Sequence, residues 1–235
     1  MNSIIKPICS FIKSSIGRKM LVAVTGTMLY LFLAGHMLGN MTVYLSPNDL
    51  NNYAHHLQSL PAPALWGFRV VMLAIIGIHV GLTLKLKLEN MAARQQYKVK
   101  HTIKATLSSR FMVQTGIMIA LFIVYHILQY TVHIGYDMSN YKTTLEGVPG
   151  QVTDVYKVIT DPVLGFGNWI VSGIYIVALL LLFTHLKHGV QSTFQTVGLS
   201  TKKLAPLWNI VSTLYAAVIC LGMISIPVSI LAGWV

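Results

Sequence analysis

Long apolar stretches alternate with short polar connections along this chain. Five stretches, roughly 20–45, 65–88, 111–135, 168–194 and 207–234, reach the length that a helix needs to cross hydrocarbon, about 20 residues for about 30 Å. Between the first two, Ser46-Pro47-Asn48-Asp49 reads as a helix start and Leu60-Pro61 as a stop, which predicts a short surface helix. The connection 136–167 is long enough to fold over one end as a cap. At the N-terminus, Ile4, Ile5, Ile8, Phe11 and Ile12 recur at helical spacing around Lys6 and Lys13. That pattern predicts a basic helix over 1–18 lying in the membrane interface. No span closely repeats another on this reading, and 1–235 is expected to form one domain.

Composition supports the same picture. Hydrophobic residues make up 54% and charged residues 10%, against about a quarter charged in soluble domains. The expected class is therefore an all-α integral membrane protein with five transmembrane helices. A net charge of +11 would suggest nucleic acid as partner for a soluble chain. Here the cations sit in the connections, so membrane lipid is the expected partner and nucleic acid is not. Lys6, Lys13, Arg18 and Lys19 precede span one, and Lys85, Lys87, Arg94, Lys98, Lys100, Lys104 and Arg110 flank or fill the second connection. Lys187, Lys202 and Lys203 lie at or beyond the end of span four. The third connection instead carries Asp137, Glu146, Asp154 and Asp161 against Lys142 and Lys157. The positive-inside rule then puts the N-terminus in the cytoplasm and the C-terminus outside. The run after Arg18-Lys19 is too long and too polar-interrupted for a cleaved signal peptide. Cys9 and Cys220 form no motif.

Four histidines fall inside the apolar spans, one in each of the first four: His36, His79, His126 and His185. An imidazole in hydrocarbon is costly and calls for a function. Helix rise places His36 about 25 Å beyond Lys19, and His126 about 24 Å beyond Arg110, in two spans that both run outward. His79 lies about 9 Å before Lys85 in an inward-running span, and His185 stands two residues before Lys187 in another. The four thus form an outer pair, His36 with His126, and an inner pair, His79 with His185. Imidazole suits Fe, Cu and Zn, but no carboxylate or thiolate stands beside these histidines to complete a Zn or non-haem Fe site. Two imidazoles on opposite faces of a porphyrin need no third protein ligand, so the pattern predicts two haem b groups in a bundle of the first four spans. Four unrelated histidines, bonded to carbonyls or lining a proton path, would not account for two matched depths. Gly35 and Gly39, Gly77 and Gly81, and Gly189 provide small neighbours for close approach. His188 is a rival to His185, and His133 is read as a propionate or quinone neighbour. His55, His56 and His101 default to the interface or to solvent.

With these features the chain resembles the single-polypeptide, two-haem, five-helix cytochrome b subunits of succinate:quinone oxidoreductases (succinate dehydrogenase and fumarate reductase). The resemblance covers most of the chain. It rests on Ser15-Ile16-Gly17-Arg18-Lys19, on Gly35-His36-Met37-Leu38-Gly39-Asn40, on Asn52-Tyr53-Ala54-His55-His56-Leu57-Gln58-Ser59-Leu60-Pro61, and on one histidine in each of the first four spans. It implies ligation of span one with three and of span two with four. It also implies a helix-four ligand about thirteen residues before a terminating glycine: His185 stands thirteen before Gly198, and His188 ten. The family role it implies is a subunit of a respiratory enzyme of the bacterial cytoplasmic membrane. Such a subunit anchors a flavoprotein and an iron–sulfur subunit and passes electrons through the inner and then the outer haem to a quinone, here menaquinone. The chain itself has no flavin fingerprint and no cysteine cluster, so it is not expected to hold the dicarboxylate site.

Candidate propionate partners are Arg18, Lys19, Ser109 and Arg110 at the inner level and Arg69 at the outer one. The outer quinone site is expected near Asn40, Tyr44, Asp49, Asn52 and Arg69. No Asp or Glu lies inside a span, which leaves no carboxylate-based proton path. Two other readings are an anchor of a nitrate reductase- or hydrogenase-like complex, against which the histidine-free fifth span counts, and a haem-free transporter.

Overall fold

The computed structural model describes residues 10–93 and 107–235. Helix α1 (Ser15–Asn40) continues through a 3-10 turn (Met41–Tyr44) into the surface helix α2 (Pro47–Gln58). The second span is α3 (Ala62–Ala92). A short turn α4 (Leu107–Arg110) leads into α5 (Met112–Tyr130). The cap holds a 3-10 turn, two-residue strands β1 (Lys142–Thr143) and β2 (Val152–Thr153), and helix α6 (Val155–Thr160). The last two spans are α7 (Trp169–Thr196) and α8 (Ala205–Leu231). Five of these helices, α1, α3, α5, α7 and α8, are long and apolar enough to cross a membrane. The protein is an all-α, multi-span membrane protein; β1 and β2 pair antiparallel inside the cap.

Local chemistry explains the boundaries. The Ser46 hydroxyl accepts from the Asp49 N–H, and Pro47 occupies the first turn, so the predicted surface helix forms where its start signal stood. Asn168 likewise caps α7 by accepting from the Ile170 N–H. The interfacial helix expected over 1–18 lies partly outside the described residues, and where it is described it does not run through. Residues 10–13 are helical, but Ser14 breaks the run and caps α1 by accepting from the Gly17 N–H. A Cβ at Gly17 would stand 1.9 Å from the Phe11 carbonyl oxygen, so the tight corner there requires glycine.

Span three also ends earlier than expected, at Tyr130 and not at 135. The chain reverses through His133 (φ 59°) and Gly135 (φ 87°) into the cap. His133 therefore does not stack above His126 on a continuing helix.

The helices pack in a ring. α1 contacts α3, α3 contacts α5, α5 contacts α7, and α7 contacts α1, whereas the diagonals α1–α5 and α3–α7 share no extensive packing. Helix α8 lies outside this ring, mainly against α7 and also against α1. It acts as a brace: the Tyr215 hydroxyl donates to the Tyr30 carbonyl. The Tyr44 hydroxyl donates to Ser225 Oγ (2.8 Å) and lies 2.9 Å from Ser229 Oγ. Met37, Leu186, Val190, Ala216 and Ile219 form the apolar seam where α1, α7 and α8 meet.

The cap is locked onto α2 by Asn51, which is 2% exposed. Its amide donates to Asp154 Oδ1 (2.9 Å), and its carbonyl oxygen accepts from the Tyr156 N–H (3.0 Å).

Candidate functional site

The histidines occupy the two diagonals of the ring. His36 on α1 and His126 on α5 face each other across the first, with ring centres 5.8 Å apart and planes crossing at 88°. Two imidazoles each about 2 Å from one metal ion, on opposite sides of it, would have ring centres roughly 6 Å apart. His79 on α3 and His185 on α7 lie on the second diagonal. All four histidines are half-buried as residues. A Cβ placed at Gly35, Gly77 or Gly81 would meet no atom within 4 Å. Among the described residues no three His, Cys, Asp or Glu side chains cluster. What the fold brings together is pairs.

Each pair has a defined level. His79 rests against Thr25 and Gly26 of α1, eleven residues before His36, a separation of about 16 Å along the helix. His185 rests against Thr115 and Gly116 of α5, again eleven residues before His126. Helices α1 and α5 therefore carry one ligand candidate each and a seat for the other pair.

Three of the four rings have a hydroxyl beside Nδ1. The Thr25 hydroxyl donates to the Leu21 carbonyl (2.7 Å) and lies 3.1 Å from His79 Nδ1. The Thr115 hydroxyl donates to the Phe111 carbonyl (3.0 Å) and lies 3.3 Å from His185 Nδ1. The Tyr175 hydroxyl donates to Gln129 Oε1 (2.9 Å) and lies 3.1 Å from His126 Nδ1. An imidazole that gives its Nδ1 proton to such an oxygen keeps the Nε2 lone pair for a metal. Gln129 in turn donates to the Leu164 carbonyl, which ties the outer pair to the cap. His36 has a different neighbour, Asn40, whose Nδ2 donates to the His36 carbonyl (2.7 Å) and lies 3.4 Å from Nε2.

The remaining candidates are placed as follows. Arg18 is engaged by Glu89 (2.7 Å) and by the Lys13 carbonyl, so its guanidinium links the N-terminal end of α1 to the C-terminal end of α3. Lys19 is exposed. Ser109 and Arg110 lie on α4, which packs against α7. Arg69 lies over the Trp66 ring (5.1 Å). Of the quinone candidates, Asn40 has a side-chain contact with a span histidine, His36. Tyr44 is held by the serines of α8, Asp49 accepts from the Ser46 hydroxyl (2.6 Å), and Asn52 is exposed. Cys9, Arg94, Lys98, Lys100, His101 and Lys104 lie outside the described residues.

Thr25, Thr115, Tyr175 and Gln129 were missed by reasoning from the sequence, yet a signal for the threonines was there. Contrary to the expectation of no repeat, spans one and three share a pattern. Thr25-Gly26, Met28, Leu31-Phe32, His36 and Leu38 recur as Thr115-Gly116, Met118, Leu121-Phe122, His126 and Leu128. The structure gives the repeated positions the same work. Phe32 stacks on His36 (5.5 Å) and Phe122 lies against His126 (6.0 Å). A Cβ at Gly26 or Gly116 would come within 3.2 or 3.1 Å of Cε1 of His79 or His185.

No family model, curated protein or solved structure matches the chain.

Proposed function

We propose that this chain is the two-haem cytochrome b anchor of a succinate:quinone oxidoreductase in a bacterial cytoplasmic membrane. The observation that carries the reading is the placement of two histidine pairs on the two diagonals of one helical ring, at two levels. A bundle interior is where facing helices build cofactor sites. The residues fit the group: imidazoles in pairs, three of them with a hydroxyl beside Nδ1, and glycines next to them at which a Cβ would meet nothing.

When bound, each haem b supplies one-electron transfer. The chain's own residues do the rest. Thr25, Thr115 and Tyr175 set a hydroxyl beside Nδ1 of three of the imidazoles, and Phe32 and Phe122 pack beside the outer pair. Lys19, Lys85, Lys87, Lys187, Lys202 and Lys203 make the inner end cationic, which suits docking of an iron–sulfur subunit that carries a flavoprotein. Asn40, beside His36, is the residue best placed to hydrogen-bond a quinone carbonyl at the outer end, with menaquinone as the expected substrate.

Isolation of the chain from its native membrane with its bound partners tests this. The expected companions are a flavoprotein and an iron–sulfur subunit, and added succinate should reduce a b-type absorbance. Companions of a nitrate reductase or a hydrogenase, or no change with succinate, would contradict it.

A further inference from the structure

We infer that Thr25 and Thr115 are positioning residues that set the reduction potential of the inner centre alone, acting through His79 and His185. The inference rests on the haem reading above and extends it to residues that touch neither haem iron nor substrate. Three observations carry it. Each threonine occupies the same place in the repeat, eleven residues before a histidine of the other level. Each hydroxyl lies against carbonyls of the preceding turn, Leu21 and Val22 or Phe111 and Met112, as well as against Nδ1 of the imidazole; in the inferred arrangement the hydroxyl hydrogen goes to a carbonyl and the Nδ1 proton to the threonine oxygen. Each is followed by a glycine at which a Cβ would stand only 3.2 or 3.1 Å from Cε1 of the imidazole, so its absence makes room for the ring. The outer pair has no such seat: His126 uses Tyr175 and His36 lies beside Asn40.

An imidazole that donates Nδ1–H to an oxygen carries a more electron-rich Nε2 and is a more basic ligand. A more basic axial ligand favours the oxidised metal. Removing the threonine oxygen should therefore raise the inner potential and leave the outer one in place.

The test is a potentiometric titration of the whole complex with Thr25→Val, Thr115→Val and the matching serine variants. We expect a positive shift of the inner midpoint in each valine variant, an unmoved outer midpoint, and wild-type values in the serine variants. An equal shift of both centres, no shift, or a serine variant that behaves like valine would overturn the inference. Should valine prevent assembly, Thr25→Ala and Thr115→Ala give the same readout without added bulk. Histidine-selective ¹⁵N spectra of the wild-type chain in lipid supply a readout that needs no variant. His79 and His185 should both carry the Nδ1 proton in a hydrogen-bonded position, and Nε2-protonated rings would overturn the inference. A wild-type chain without haem would refute the proposed function and the inference with it, whereas a haem-loaded chain whose inner midpoint stays in place in the valine variants would overturn the inference alone.

Discussion

His36 and His126 meet ring to ring across the α1–α5 diagonal, 5.8 Å between centres and nearly perpendicular in plane. The helices that carry them do not pack extensively on each other. The two imidazoles thus reach across the bundle interior, in the manner of ligands on opposite faces of a flat group. A haem held by this pair should give the strongly anisotropic low-spin signal of crossed imidazole planes in electron paramagnetic resonance; a signal typical of parallel planes would contradict the reading.

Replacement of the histidines should separate the two centres. His36→Ala or His126→Ala should remove the outer haem and retain the inner one, while His79→Ala or His185→Ala should do the reverse. Each variant should keep about half of the haem per chain, read by pyridine haemochrome assay and low-temperature spectra. His188→Ala should keep both. Loss of the inner haem in His188→Ala with His185→Ala unaffected would reassign the ligand on α7.

Gly26→Ala and Gly116→Ala should weaken the inner centre. The new methyl group would press on a ring carbon at 3.2 or 3.1 Å, and the imidazole must give way by a few tenths of an ångström. Haem content at the inner level should fall in both, and further in the corresponding leucine variants. Ala substitution at Gly77, where a Cβ meets nothing within 4 Å, is the comparison that should leave protein packing undisturbed.

Asn51→Ala should loosen the cap. It removes two hydrogen bonds from a buried side chain and leaves Asp154 and the Tyr156 N–H short of a partner. The expected loss is about 1–3 kcal/mol. Limited proteolysis within 136–167 should accelerate, with the inner haem retained.

The cap should also respond to acid through Asp161. Burial pushes this carboxyl up, but the Tyr141 hydroxyl and the amide hydrogens of Leu164 and Val163 outweigh it and hold it below the usual carboxylate value. A carboxylate with a lowered folded-state pKa contributes stability above its unfolded value, and that contribution fades as the pH falls through the folded one. Proteolytic protection of the cap should therefore drop below about pH 4. Asp161→Asn should flatten that dependence; an unchanged acid response in the variant would assign it to other groups.

The spans were legible because long apolar runs and cationic connections are local signals, and the surface helix because Ser46 and Pro47 are a local start. The matched depths followed from the fixed rise of a helix. The cap was not legible in detail: its order depends on Asn51 meeting Asp154 and Tyr156, about a hundred residues away in sequence. The seats of the histidines depend on helix rotation, which apolar runs do not encode. Thr25 and Thr115 became visible as partners once α1 met α3 and α5 met α7, although comparing span one with span three aligns them. The early end of span three at Tyr130 reflects the His133–Gly135 reversal, a backbone event hidden within an apolar run.

The most direct test of the account is haem stoichiometry with axial-ligand spectroscopy on the purified, assembled chain. The account predicts two b-type haems per chain, both low-spin with two histidine ligands, one lost on replacing His36 and the other on replacing His79. A chain with no b-type α-band, or one haem that survives both replacements, would contradict it.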